Sequence, residues 1–347
     1  MPIKSLSTIA WNVDEPTYRS GEGYSYSTLA KFQKEGFNGL PTLFDKVESP
    51  SLLFGSVVDC LITGTPEEFN ERFVVAEFPE LQDSRIKVIQ EIFNTAGGVA
   101  WDKISDAVFN AAIEKQQFQM NWKPETRVKV IRECGKEYYD ILCVSSGKSI
   151  VSNEMYNDAV ACVEALKTSE ATKVYFAADN PFDDRIQRLY QLKFTGEYEG
   201  IPLRCMADLL YVDNLNKFVC PIDLKTSSHK EWDFGRSFIE WRYMIQSQLY
   251  WYIIRQAMDK DEVFKDYKLL NTRFIVISNG SRVPLVWEFE DAQSEEDFKC
   301  GNYTIPNWRK IVKDLDYYLK NNPIVPIGIK ANTTNSLRDW LKNTYGE

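Results

Sequence analysis

The chain has 347 residues, is 44% hydrophobic and 14% aromatic, and has a formal net charge of −9. That length and composition suit a soluble protein of one large domain, or a domain with a subdomain, and exclude a disordered or fibrous chain. No apolar run approaches a membrane span. The seven cysteines, Cys60, Cys134, Cys143, Cys162, Cys205, Cys220 and Cys300, include no Cys-x-x-Cys pair, which argues for reduced thiols and against a zinc site.

In chain order, residues 1–22 are polar and turn-rich and are expected to cover the surface. A helix is expected over Ser25–Glu35, with Ser25 or Ser27 as its N-cap. A second runs over Ser51–Leu61, and its Gly55 and Asp59, four residues apart, share a face. Gly64-Thr-Pro66-Glu-Glu opens a short helix, and Arg72–Phe78 reads as a strand. Residues 83–175 show helical periodicity in several pieces, including Asn153–Leu166. Three strands follow at Tyr190–Glu197, Ile201–Val212 and Lys217–Thr226, the last two joined by a turn at Asp213–Asn216. Phe234–Met258 reads as one long aromatic helix. Asn279-Gly280 signals a hairpin between Leu269–Ser278 and Ser281–Phe289. Ile305–Leu319 is a closing helix, and a polar tail ends in a short helix around Leu337–Lys342. The order suits an α+β fold with helices on the faces of a sheet.

Chemistry concentrates on the three strands. Asp208 lies in the apolar run Met206-Ala207-Asp208-Leu209-Leu210, where a carboxylate needs a partner. Asp223 and Lys225 are two residues apart on one strand and so share a face. A surface salt bridge would also place them so, but two converging carboxylates make a site for Mg²⁺ or Mn²⁺, which prefer oxygen ligands. Gln246 and Tyr250 are i,i+4 neighbours on the next helix. His229 is the only histidine, which removes His-based triads and His-rich metal sites. There is no Gly-x-x-x-x-Gly-Lys-Ser/Thr phosphate loop, no Gly-x-Gly-x-x-Gly and no Gly-x-Ser-x-Gly.

Asp208, Asp223-Leu224-Lys225 and Gln246-x-x-x-Tyr250, in that order and spacing, resemble the core of the PD-(D/E)XK nuclease superfamily. The arrangement is most similar to the phage and prophage recombination exonucleases, the exonuclease VIII and lambda exonuclease group. Leu52-Leu-Phe-Gly55-Ser-Val-Val-Asp59 resembles that group's Gly-x-x-x-His helix, with aspartate in place of histidine, and Tyr24-Ser25-Tyr26-Ser27 resembles its serine-containing first helix. The similarity touches residues 20–255.

The resemblance implies a restriction-endonuclease-like mixed central sheet flanked by helices, with a helical insertion. The expected divisions are 1–82 (N-terminal helices of the nuclease core), 83–175 (helical insertion), 176–325 (core sheet and helices) and 326–347 (tail). It implies Asp208, Asp223, Lys225 and Gln246 as catalytic residues and Asp59, Asp208 and Asp223 as ligands of Mg²⁺ or Mn²⁺. Ser25, Ser27, Ser227, Tyr250 and Arg242 are candidate substrate contacts, and His229, Lys230 and Arg236 lie nearby. Gln191 or Glu197 stands where many members carry a further glutamate.

The implied activity is 5′ to 3′ exonucleolytic resection of linear duplex DNA for recombination. Further implications are a ring-shaped homo-oligomer, a single-strand annealing partner, no membrane, and the cytoplasm of a bacterial host. An endonuclease on the same core, or a nuclease fold that binds without cutting, are the alternatives. The absence of a C-terminal cysteine cluster sets aside the iron–sulfur nucleases associated with CRISPR. The net charge of −9 argues against tight, metal-free, nonspecific DNA binding, since phosphate contact needs local positive charge.

Overall fold

The structure is a computed structural model. It describes residues 4–321, apart from 46, 48, 78–80, 146, 181 and 228, together with 336–338. The tail helix expected around Leu337–Lys342 falls largely outside the described residues. No described helix is long and apolar enough to cross a membrane.

The chain divides into two compact units, Met1–Val47 with Leu166–Glu347, and Glu48–Ala165. The division falls elsewhere than the expected 82/83 and 175/176. The helix carrying Gly55 and Asp59, Pro50–Thr63, groups with the helical segment and not with the sheet.

The unit Glu48–Ala165 is helical, as the periodicity implied. Its helices include Asp83–Ala96, Asp106–Lys115 and Pro124–Ser145. They bury Ile89, Ile92, Trp101, Phe109, Ile113, Ile131 and Tyr139 in a core of their own. The helix Pro66–Arg72 starts with a reciprocal capping box between Thr65 and Glu68, which satisfies two otherwise orphaned N–H groups. The expected strand near Arg72–Phe78 is only Phe73–Val75, paired in parallel with Ser149–Val151.

The other unit is α+β. Its main elements are α1 (Tyr26–Glu35), β1 (Ile186–Tyr198), β2 (Ile201–Asp213), β3 (Phe218–Ser227), α2 (Phe234–Glu240), α3 (Tyr243–Asp259), β4 (Lys268–Leu269), β5 (Thr272–Ser278), β6 (Leu285–Phe289) and α4 (Trp308–Asn321). The sheet order is β1-β2-β3-β5-β6, with β4 paired to the start of β3. β1, β2 and β3 are antiparallel, β3 and β5 parallel, and β5 and β6 antiparallel. A parallel pair needs a crossover, and α2 with α3 supplies it. α3 packs on β1 and β2 and buries Ile245, Leu249, Ile253 and Ile254, while α4 adds Trp308, Val312 and Leu315 to the same core. The mixed α+β sheet with helices on its faces is the expected class.

Three local expectations change. Residues 1–22 are not merely a surface cover: Leu6 and Tyr18 are buried in the short helices Leu6–Ile9 and Glu15–Ser20. The long helix over Phe234–Met258 is two helices. Trp241 and Arg242 break it, with Arg242 in the left-handed region at φ 61° and ψ 39°. Its guanidinium donates to Ile239 O and to Gln33 Oε1, the latter at 2.6 Å. Such a conformation is uncommon for a residue other than glycine, and tertiary hydrogen bonds hold it.

The hairpin at Asn279-Gly280 exists, but neither residue has positive φ, and the strand ladder ends at Val276↔Leu285. Arg282 takes the left-handed position instead, at φ 54°. The connection is shaped by Glu231, which is fully buried. Its carboxylate accepts from Ser278 N at 2.8 Å and Ser281 Oγ at 2.6 Å. The Asp213–Asn216 turn is as read: Asp213 Oδ1 accepts from Leu215 N and Asn216 N.

Removing a buried acceptor leaves its donors unsatisfied at about 1–3 kcal/mol each. Glu231→Ala is therefore expected to lower unfolding stability by about 3 kcal/mol, read as a drop in urea midpoint, with Glu231→Gln losing less.

Candidate active site

The strand ladder opens at the two aspartates. β2 and β3 pair through Asp213↔Phe218 as far as Leu209↔Ile222 and then stop. The next step of that register would set Asp208 opposite Asp223. Instead the Asp208 side chain enters the gap, and its Oδ2 accepts from Leu224 N at 3.0 Å. A carboxylate has replaced a backbone carbonyl in the ladder. On the other side of β2, the pairing with β1 skips Gln191 and Asp208 while the register continues. Gln191 has φ 52°, so one left-handed residue interrupts that ladder too. The far half of the β2 edge is taken by Tyr24, bridged to Leu203. The fork between β2 and β3 thus stays open where the acids stand.

Asp223, Lys225 and Gln246 form a triangle in which the acid and the amide are buried and the lysine is half-buried. Lys225 Nζ lies 2.6 Å from Asp223 Oδ2 and donates to Gln246 Oε1 at 3.1 Å. Gln246 Nε2 donates to Asp223 Oδ1 at 2.6 Å. Only this orientation of the amide faces its NH₂ to the carboxylate and its oxygen to the ammonium. Asp223 is 5% exposed. Its Oδ2 has the ion pair but no aligned hydrogen bond, so the contact with Lys225 is Coulombic. The ammonium also sits 4.4 Å from the centre of the Tyr243 ring, a cation–π geometry.

Burial alone would lower the Lys225 pKa. Asp223, with Tyr243, Asp208 and Tyr26, outweighs it, and the pKa stands above that of an ordinary lysine. Lys225 is therefore an ammonium at any neutral pH, a donor and positive charge and not a base. For stability the sign follows: a raised native pKa gives stabilisation fully present below the unfolded value near 10.4 and lost as pH climbs through the native value. This lysine adds no pH dependence between about 6 and 9. Burial also pushes the hydroxyls of Tyr26, Tyr243 and Tyr250 upward, so they act as neutral donors.

A cavity of about 10 Å³ lies among Asp208, Asp223, Gln246, Ser247, Tyr250 and Thr272, room for about one water-sized body. Asp223 Oδ2, Ser247 Oγ and Thr272 Oγ1 are buried without a hydrogen-bond partner. The residues that carry these oxygens line one small cavity with Asp208, Asp223 Oδ2 being ion-paired with Lys225, and oxygen is the ligand type that a hard cation takes. Mg²⁺ is commonly held by one or two carboxylates, the rest of its shell being water and substrate oxygen. The residues present fit such an ion. Among the described residues no group of three His, Cys, Asp or Glu side chains is placed to hold one, so two protein carboxylates are the set this unit offers.

The other candidates divide. Tyr250 lines the cavity with the acids. Ser25 and Ser27 start α1, their hydroxyls 3.0 Å apart, and Ser25 makes no side-chain cap. Tyr26 between them had no sequence signal, yet it is electrostatically coupled to Lys225, and its hydroxyl donates to Trp241 O at 2.5 Å. Ser227 Oγ accepts from the backbone N–H of His229, which is exposed.

Arg242 is committed to Gln33 and Ile239. Arg236 lies 3.4 Å from Asp233, and Lys230 sits over Trp232. Asp59 belongs to the other compact unit, half-buried on Pro50–Thr63. Glu197 is exposed and opposite Pro202, six residues from the level of Asp208 and so about 20 Å along the strand. It is not a carboxylate of this site. Tyr243 could have been found as the i−3 neighbour of Gln246; Ser247 and Thr272 carried no signal.

Breaking a buried ion pair at one partner costs about 3–5 kcal/mol, because a charge is left uncompensated. Lys225→Met is expected to lower stability by about 3 kcal/mol, with the double variant Asp223→Asn/Lys225→Met recovering part of it. Urea unfolding of the four proteins in the cycle, without divalent metal, measures this.

No family model matches the chain, and none of the curated proteins matches it. Among solved structures it is similar to a crystal structure from Eubacterium rectale described as a candidate exonuclease. The two are 14% identical, with 95% of this chain and 98% of that chain covered and a TM-score of 0.43, a loose likeness only.

Proposed function

We propose that the chain is a Mg²⁺- or Mn²⁺-dependent deoxyribonuclease, held at Asp208 and Asp223 and assisted by Lys225 and Gln246. The observation that carries the reading is the convergence at the open strand fork. Two carboxylates, an ammonium and an amide meet there beside two buried hydroxyls, of Ser247 and Thr272, that have no hydrogen-bond partner. Bound at the carboxylates, the divalent ion would supply positive charge to the scissile phosphate and lower the pKa of water.

The chain's own groups do the rest. Gln246 fixes the rotamer of Asp223 by donating to Oδ1, leaving Oδ2 for the ion. Lys225 is also held by Gln246 Oε1, a bond it would keep were an ion to take its place on Asp223 Oδ2, leaving its other donors free. It then orients the attacking water and donates toward a phosphate oxygen as charge builds there. The hydrogen bond from Leu224 N–H holds Asp208 in the fork and so sets the spacing of the two acids. Asp59 is a further candidate ligand by the family resemblance alone.

The finer reading also rests on that resemblance: exonucleolytic resection of linear duplex DNA from the 5′ end for recombination, by a homo-oligomer working with a single-strand annealing protein in a bacterial cytoplasm. Digestion of 5′-phosphorylated linear duplex and closed circular DNA with Mg²⁺ or Mn²⁺ tests it. Loss of the linear substrate alone, reduced at least about 10³-fold in Asp208→Asn, Asp223→Asn and Lys225→Met, is the expected result, since each removes transition-state charge stabilisation. Nicking of the circle would make the enzyme an endonuclease. Cleavage of neither, with DNA still bound, would leave a binding module.

A further inference from the structure

The connection between Lys225 and Gln246 exposes two tryptophans, and each carries a lysine. Trp232 is 60% exposed and Trp241 is 49% exposed. Lys230 Nζ lies 4.9 Å from the centre of the Trp232 ring, and Lys34 Nζ lies 4.4 Å from that of Trp241. The backbone beneath both rings is fixed. Trp232 follows the fully buried Glu231, whose carboxylate is held by Ser278 and Ser281 and whose carbonyl accepts from Trp287 Nε1 at 3.2 Å. Trp241 has its carbonyl bonded by Tyr26 and is followed by the left-handed Arg242, itself tied to Gln33. The helix break that sequence periodicity did not show is what turns Trp241 outward.

Large aromatic rings held rigidly in water, on the segment joining two site residues, are a contact surface. The lysines choose among occupants. An ammonium over one face of an indole leaves the opposite face for a base and stands near enough to meet its phosphate, which is what an unpaired nucleotide requires. A chain of net charge −9 gains little from general phosphate attraction, so stacking has to contribute much of the grip.

We propose that Trp232 and Trp241, each with its lysine, form a stacking platform that binds unpaired bases and guides a single strand to the carboxylate site. α2, of seven residues and about 10 Å long, separates the two tryptophans along the chain. The proposal rests on the nuclease reading for its direction but not for its binding.

The test uses the full chain in EDTA, where no cleavage occurs, with a fluorescein-labelled 12-nucleotide single strand, an abasic strand of equal length and a blunt duplex. Fluorescence anisotropy gives the affinities, and tryptophan quenching reports stacking. The single strand should bind best and quench. The abasic strand should bind at least about tenfold more weakly. Trp232→Ala and Trp241→Ala should each lose about tenfold for the single strand, the range that stacking on one aromatic gives. Trp232→Phe and Trp241→Phe should retain most of the affinity, and all variants should keep the wild-type melting temperature.

Equal binding of intact and abasic strands, alanine variants that bind as wild type, or rings buried by self-association in sedimentation would each overturn the platform. A platform that fails while metal-dependent cleavage persists sinks this inference alone. Binding that persists without cleavage sinks the nuclease reading alone.

Discussion

A carboxylate buried to 5% exposure is tolerated only with compensation, and around Asp223 the compensation organises the site. Lys225 faces it from the same strand and Gln246 from α3, so strand and crossover helix are tied through one charge. The Lys225 ammonium in turn lies on Tyr243, one turn before Gln246 on the same helix. Such a pair adds little net stability, since desolvation consumes most of the Coulombic gain. Its presence in a sheet otherwise lined with Phe274, Val276 and Ile222 is what makes this place a candidate site.

The backbone irregularities converge on the same spot. Gln191 breaks the β1–β2 ladder beside Asp208, and the β2–β3 ladder stops one step before the two acids would face each other. A continuous ladder would have filled the fork with backbone hydrogen bonds. An open one admits the Asp208 side chain. The crossover helix is interrupted at Arg242, which starts α3 afresh and fixes the direction in which Gln246 enters the fork. Irregular backbone at a site of converging charge fits a constraint set by function.

Much of this was legible in the sequence. Alternation and a turn marked β1, β2 and β3 within a few residues, and the two-residue spacing of Asp223 and Lys225 put them on one face. What was missed depends on tertiary contacts. The αL conformation of Arg242 is stabilised by Gln33, 209 positions away. Asn279-Gly280 reads as a tight turn only if nothing else holds the loop, and Glu231 does. The orphaned hydroxyls of Ser247 and Thr272 are recognisable only once β5 and α3 meet. Asp59 matches a family pattern on a helix that folds with the other compact unit, and it stays a candidate by that resemblance alone.

The most direct test of the central claim is a crystal of the full chain soaked in Mn²⁺, with anomalous difference density measured at the Mn edge. The account expects a peak within bonding distance of the Asp208 and Asp223 carboxylates, with Lys225 withdrawn from Asp223 Oδ2 and still bonded to Gln246. No peak at the fork under saturating Mn²⁺, with the Asp223–Lys225 pair unchanged, would show that the acids serve only the fold and would contradict the metal-dependent reading.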